Sequence, residues 1–330
     1  MGIFDFFKRK SSNRLEDNID IKDINDINDI NDINDINEEV AFLRNDIDTT
    51  KQYFIDVSDN KNYTEDFIIE EFYKILRGPQ DFNSIYNATK RLVDEIGIDH
   101  IDNINRYVYE ELYKPQEFNN LYKSSEEWNI AVKNIALTSI YSYKSEGVDY
   151  LLKIATNPNK DGLKAINLLC KLASNNIDID KIIDSIIYIM KDFNDIIVID
   201  ILKFLTQIRD NQKVRNALQF YFRKYISLNK IEYAYDCVLN SINFNGKFTR
   251  EELIFLKAMA LSEEPVDISL FLDGQEGKIE FLSLDNNLRI KAAITFYSLH
   301  NRDEEINIML KYIKETSEDE NLRNYLAEIL

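Results

Sequence analysis

Asp184 and Asp200 each interrupt an apolar run, KIIDSIIYIM and DIIVIDILKFL, and two carboxylates in apolar surroundings are the raw material of general acid–base catalysis. In a chain with 58 acidic residues such pairs also arise by chance. Asp184 with Tyr188, and Asp200 with Lys203 and Gln207, fall at the three- to four-residue spacing of narrow solvent-facing helix stripes. No catalytic residue is therefore assigned.

Lys213, Phe220 and Lys224 lie in the most basic stretch of the chain, 207–230. On a helix they fall opposite the core stripe of Val214, Leu218, Tyr221, Phe222 and Tyr225, so an aromatic ring flanked by two ammonium stems would anchor an acidic peptide. A merely solvated face, or Phe220 covered by a neighbouring helix, is the competing reading.

Other constellations carry less. The run from Asn157 to Gly162 has the oxygen side chains and Gly that open a calcium loop, but Leu168 stands where a bidentate Glu is required, and an inter-helix turn is expected instead. Gly274-Gln-Glu-Gly277 lacks the Lys and Ser/Thr of a phosphate loop. Cys170 and Cys237 sit inside apolar runs and read as buried thiols; with only His100 and His300 beside them, neither a zinc site nor any cofactor is expected.

These residues need elements to position them, and composition limits the choice. Eight Gly and four Pro in 330 residues are far below the usual ~7% and ~5%, so turn-rich β folds and Gly-looped nucleotide folds are disfavoured. With 45% apolar residues the chain can bury a large core of helices joined by short turns. The net charge of -18 repels phosphate, so nucleic-acid binding is not expected and another protein is the expected partner.

Four segments follow. Residues 1–10 form a short amphipathic opening in which Ile3, Phe4 and Phe7 stand beside Lys8, Arg9 and Lys10. Such a patch gives only weak membrane contact, and it does not resemble a secretory signal, so a cytoplasmic location is expected. Residues 11–37 contain five uninterrupted DIN triplets in 23–37. A three-residue period places no single face inward on either a helix or a strand, so this tract is expected to be a disordered acidic linker. Residues 38–122 are expected to form an N-terminal helical subdomain, and 123–330 a helical-repeat domain.

Helices are expected at 38–57, 65–77, 82–96, 99–113, 126–143, 146–156, 161–174, 179–192, 195–209, 212–228, 230–243, 250–262, 286–300, 302–316 and 318–330. Ser124 with Glu127, Thr249 with Glu252 and Ser317 with Glu320 read as capping boxes. The helices at 179–192 and 195–209 are apolar nearly all round and are expected to be covered on both sides. The segment 265–284 breaks the rhythm. It is expected to hold at most short helices around an exposed turn at Asp273 to Gly277, where Asp273 and Glu276 are offered as partner-binding residues.

One pattern recurs. Asp210 with Arg215 and Ala217, Asp285 with Arg289 and Ala292, and Asp319 with Arg323 and Ala327 each place an acid, an aliphatic–Arg pair and an Ala at a helix start. At these residues the chain resembles the HEAT-repeat family of α-solenoids. The resemblance implies an all-α fold of antiparallel helix pairs stacked side by side. It also implies that Asp210, Arg215, Asp285, Arg289, Asp319 and Arg323 form ladders between repeats, and that the function is protein binding as a non-enzymatic scaffold or adaptor. The match is degenerate: the Gly that commonly ends the second helix is missing, and the copy near Arg250 lacks its Asp. FYSLHNRDEEINIMLKYI also looks like a tetratricopeptide unit, but Ile294 and Ile306 stand where that family has Gly and Ala. The alternatives to a scaffold are a helical-repeat enzyme of DNA-glycosylase type and a peripheral membrane adaptor using residues 1–10.

Overall fold

The computed structural model describes residues 61–330 except 247, 273 and 282, together with all side chains there but those of 61–64 and 245. The amphipathic opening, the DIN tract and the helix expected at 38–57 lie outside the described residues. Fourteen α-helices and one two-stranded ribbon fill the rest, and every helix expected from residue 65 onward has its counterpart. The described chain divides into two compact units, 61–157 and 158–330.

The first unit contains α1 (Lys61–Arg77), α2 (Phe82–Ile96), α3 (Ile101–Tyr109), α4 (Ser125–Ser142) and α5 (Val148–Ala155). Helix α4 packs on all four of the others. Its burial extends to hydroxyl residues, because Thr138, Ser139 and Ser142 each donate to the carbonyl four residues back at 2.7–2.8 Å, which satisfies these three donors within the helix. The sequence boundary at 122/123 falls inside this unit. The reason is Trp128, on the first turns of α4, whose ring sits 4.9 Å from Phe118 and 5.4 Å from Tyr122 while its Nε1 donates to Leu112 O at 2.7 Å.

The second unit runs through α6 (Lys160–Ser174), α7 (Ile179–Ile189), α8 (Asp195–Leu205), α9 (Gln212–Ser227), α10 (Ile231–Asn245), α11 (Arg250–Leu261), α12 (Asn286–Leu299), α13 (Glu304–Thr316) and α14 (Glu320–Ile329). Helix α6 packs on α7 and α8, α7 on α9, α8 on α9 and α10, and α11 on α12 and α13. Asn159 opens α6 by accepting from Gly162 N at 2.9 Å, so the calcium-like run is a helix cap.

Three local expectations change. Thr249 and Glu252 form the complete reciprocal box, but Glu127 turns its carboxylate to the N–H of Lys123, one residue before the cap, and Ser317 closes α13 while Asp319 caps α14. Helices α7 and α8 are not covered all round: Tyr188 is 68% and Ile196 63% exposed, since α7 buries only the stripe of Ile182, Ile183 and Ile186. In 265–284, strand β1 (Val266–Asp267) pairs antiparallel with β2 (Lys278–Ile279), a ribbon the sequence did not suggest. Phe271 and Phe281 pack against Phe255 of α11, both rings 5.9 Å away, and Leu272 and Ile279 are buried with them, while the tip at 274–278 and much of the rest, Leu270 included, is exposed.

Candidate functional site

Helix α9 carries the candidate site. Asn211 starts it by accepting from the N–H groups of Lys213 and Val214, and Asp210 precedes the cap with a left-handed φ of 57°. The buried stripe consists of Val214, Ala217, Leu218, Tyr221, Phe222, Tyr225 and Ile226. On the outer side Phe220 is 62% exposed and presents its edge to Tyr221, whose ring centre is 5.2 Å away. Lys224 lays its ammonium over the Tyr221 ring at 5.2 Å and the Tyr225 ring at 5.8 Å.

Beside these residues runs an open groove of about 490 Å³ lined by Asn216, Gln219, Phe220, Arg223, Lys224, Ser227 and Gln275. Gln275 comes from the exposed tip between β1 and β2. The two regions singled out in the sequence thus meet at one surface. Glu276 is exposed beside Gln275, and Asp273 lies outside the described residues.

Lys213 is not part of the groove. Its ammonium pairs with Asp180 at 2.9 Å and Asp184 at 2.7 Å on α7, and these hydrogen bonds raise its pKa. The expected trio is therefore divided, and its second cation is Arg223, whose Nη2 lies 3.1 and 3.0 Å from the two carboxylate oxygens of Glu251. Asn216 and Arg223 follow from Phe220 by helical spacing alone; nothing in the sequence brings Gln275 to them.

A second, smaller cavity of about 20 Å³ lies on the inner side of the same helix. It is lined by Arg215, Leu218, Gln219, Ser241, Phe244, Phe248, Thr249 and Glu252, and shares Gln219 with the groove. Glu252 is 1% exposed, and burial raises its carboxyl above the usual range although the Thr249 N–H bonds Oε2; Oε1 has no hydrogen-bond partner.

Four of the recurring Asp and Arg residues meet helix ends. Asp285 and Asp319 accept first-turn N–H groups of their own helices, α12 and α14. Arg289 donates to Ala260 O and Ser262 O at the end of α11, and Arg323 to Ser317 O at the end of α13. Arg215 instead lies 6.0 Å from the ring centre of Phe244. Arg289 and Arg323 thus each reach backbone carbonyl oxygens at the end of the preceding helix, whose last carbonyls face the new helix start.

Asp184 is held by Lys213, while Asp200 on α8 stands in the field of Lys203 and Asp236 rather than of Asp184. Burial raises the carboxyl of Asp200, and that of Asp236 on α10 to about 6. Both thiols are fully buried. Among the described residues no group of three or more His, Cys, Asp or Glu is placed to hold a metal ion, and no helix is long and apolar enough to cross a membrane.

No protein-family model, curated protein or solved structure matches the chain.

Proposed function

We propose that the protein is a non-enzymatic binding protein of the cytoplasm whose second unit is a HEAT-like stack of helix pairs presenting an outer helix face to another protein. The observation that carries this reading is Phe220, a ring 62% exposed at the wall of an open groove. An aromatic side chain left in water on a well-packed helix costs solvation free energy that a partner would recover. The packing of α6 on α7 and α8, of α7 on α9, and of α8 on α9 and α10 supports the repeat reading. So does the repetition of an arginine on the preceding helix end at Arg289 and Arg323.

The test is site-specific cross-linking in the full chain. A photoreactive phenylalanine analogue at position 220 is expected to capture a discrete protein from the source cell, and the same analogue at position 312, on α13, is not. If no position on the second unit yields a protein adduct, or if both positions yield the same smear, the binding reading fails.

A further inference from the structure

We propose that the α9 groove binds an acidic, apolar-containing segment of the partner protein, taking a carboxylate between Lys224 and Arg223 and an apolar side chain on Phe220; this rests on the protein-binding reading above. Charge is the first argument. In a chain of net charge -18, the charged groups among the described residues that line the groove are two cations, Arg223 and Lys224, with Glu251 at the side of Arg223.

Availability is the second. The Lys224 ammonium rests on aromatic faces, which leave its N–H donors free to reach a carboxylate. Arg223 engages Glu251 through Nη2 alone and keeps further donors, and at 54% side-chain exposure this pair is weak enough to be shared.

The remaining walls suit a peptide backbone. Gln212 Nε2 donates to Asn216 Oδ1 at 2.8 Å, so the Asn216 amide keeps its NH₂ as a donor toward a carbonyl. Gln219 and Gln275 add two more carboxamides from different elements. Leu228, 51% exposed and four residues past Lys224, extends the strip begun at Phe220. The volume of about 490 Å³ lies within the ~300–1,000 Å³ of ordinary ligand clefts and accommodates a few side chains, not a folded domain.

Fluorescence anisotropy on the full chain tests this with a short labelled peptide of alternating Asp and Leu, its Asn–Leu counterpart and its Lys–Leu counterpart. The acidic peptide is expected to bind, more weakly as salt rises, and the other two to bind at least about tenfold more weakly. F220A and K224E should each lower the affinity by a similar factor, whereas K311E, an equal charge change on α13, should not. Phe220 is exposed and Lys224 half-buried, and unchanged circular dichroism spectra and melting curves will show that the variants remain folded. Equal binding of the three peptides, or acidic binding unaffected by F220A and K224E, overturns the assignment. So does tighter binding of a peptide of residues 23–37, which would make the chain's own acidic tract the preferred occupant. If position 220 captures a protein but acidic peptides do not bind, this inference fails and the protein-binding reading stands; if acidic peptides bind and no protein is captured, the groove's acidic-peptide preference holds while its assignment to a partner protein fails.

Discussion

Arg289 donates through Nη2 to the carbonyl oxygen of Ser262 at 3.1 Å, reaching from the first turn of α12 to the end of α11. The same group also bonds Ala260 O, so one guanidinium satisfies two of the carbonyls that a helix end leaves without partners. R289A is expected to destabilise the second unit by about 1–3 kcal/mol, the range for losing charge-assisted bonds to partly buried acceptors. R289K should recover only part, since it restores the charge and not the planar fork. Urea unfolding curves measure both; an unchanged midpoint in R289A would remove Arg289 from any capping role.

The positions of the helices were open to sequence reasoning because their ends are marked by short polar side chains that bond the first turn. Thr249 and Glu252, Asp285 and Asp319 show this. What spacing cannot supply is which surfaces face one another. Lys213 looks free along α9 and is engaged only because α7 brings Asp180 and Asp184 to it. Gln275 is a loop residue in sequence and a groove wall in space. The recurrence marks the arginines as structural, but the acceptors of Arg289 and Arg323 are backbone oxygens, which no residue identity reveals.

Asp236 is expected to make the second unit sensitive to pH. Burial and the nearby Glu232 and Asp200 raise its carboxyl from 3.8 to about 6, against the opposing Lys291 and Lys203. The folded state therefore holds this proton more tightly than the unfolded chain, and the contribution of Asp236 to stability falls as pH rises from about 4 to about 6 and stays low above. D236N is expected to flatten that part of the stability profile and to raise stability at neutral pH by about 1–2 kcal/mol. Thermal melts across the pH range decide it, and a D236N profile parallel to the wild type would show that Asp236 titrates normally.

Cys170 and Cys237 are each 0% exposed, and burial drives both thiols well above their ordinary pKa. Neither should react with a maleimide in the native protein, and both should react in denaturant, with mass spectrometry counting the adducts. Rapid native labelling of either would mean that the interior around α6 or α10 opens readily.

Gly147 is required by space rather than by conformation. Its φ of -79° suits any residue, but a Cβ there would lie 2.1 Å from the carbonyl oxygen of Ile140 at the close approach between α4 and the turn leading into α5. G147A is expected to cost more than about 2 kcal/mol or to prevent folding of the first unit. A variant as stable as the parent would show that this turn relaxes without penalty.

The chain has a single tryptophan, and it is Trp128, 1% exposed among Tyr73, Phe118 and Tyr122. Selective excitation of its indole therefore reports on residues 61–157 alone, while far-ultraviolet ellipticity averages over every helix of both units. The molecule carries its own probe for cooperativity: emission and ellipticity that change together on denaturation mean that the two units melt as one, and emission that shifts before or after the ellipticity means that each melts on its own.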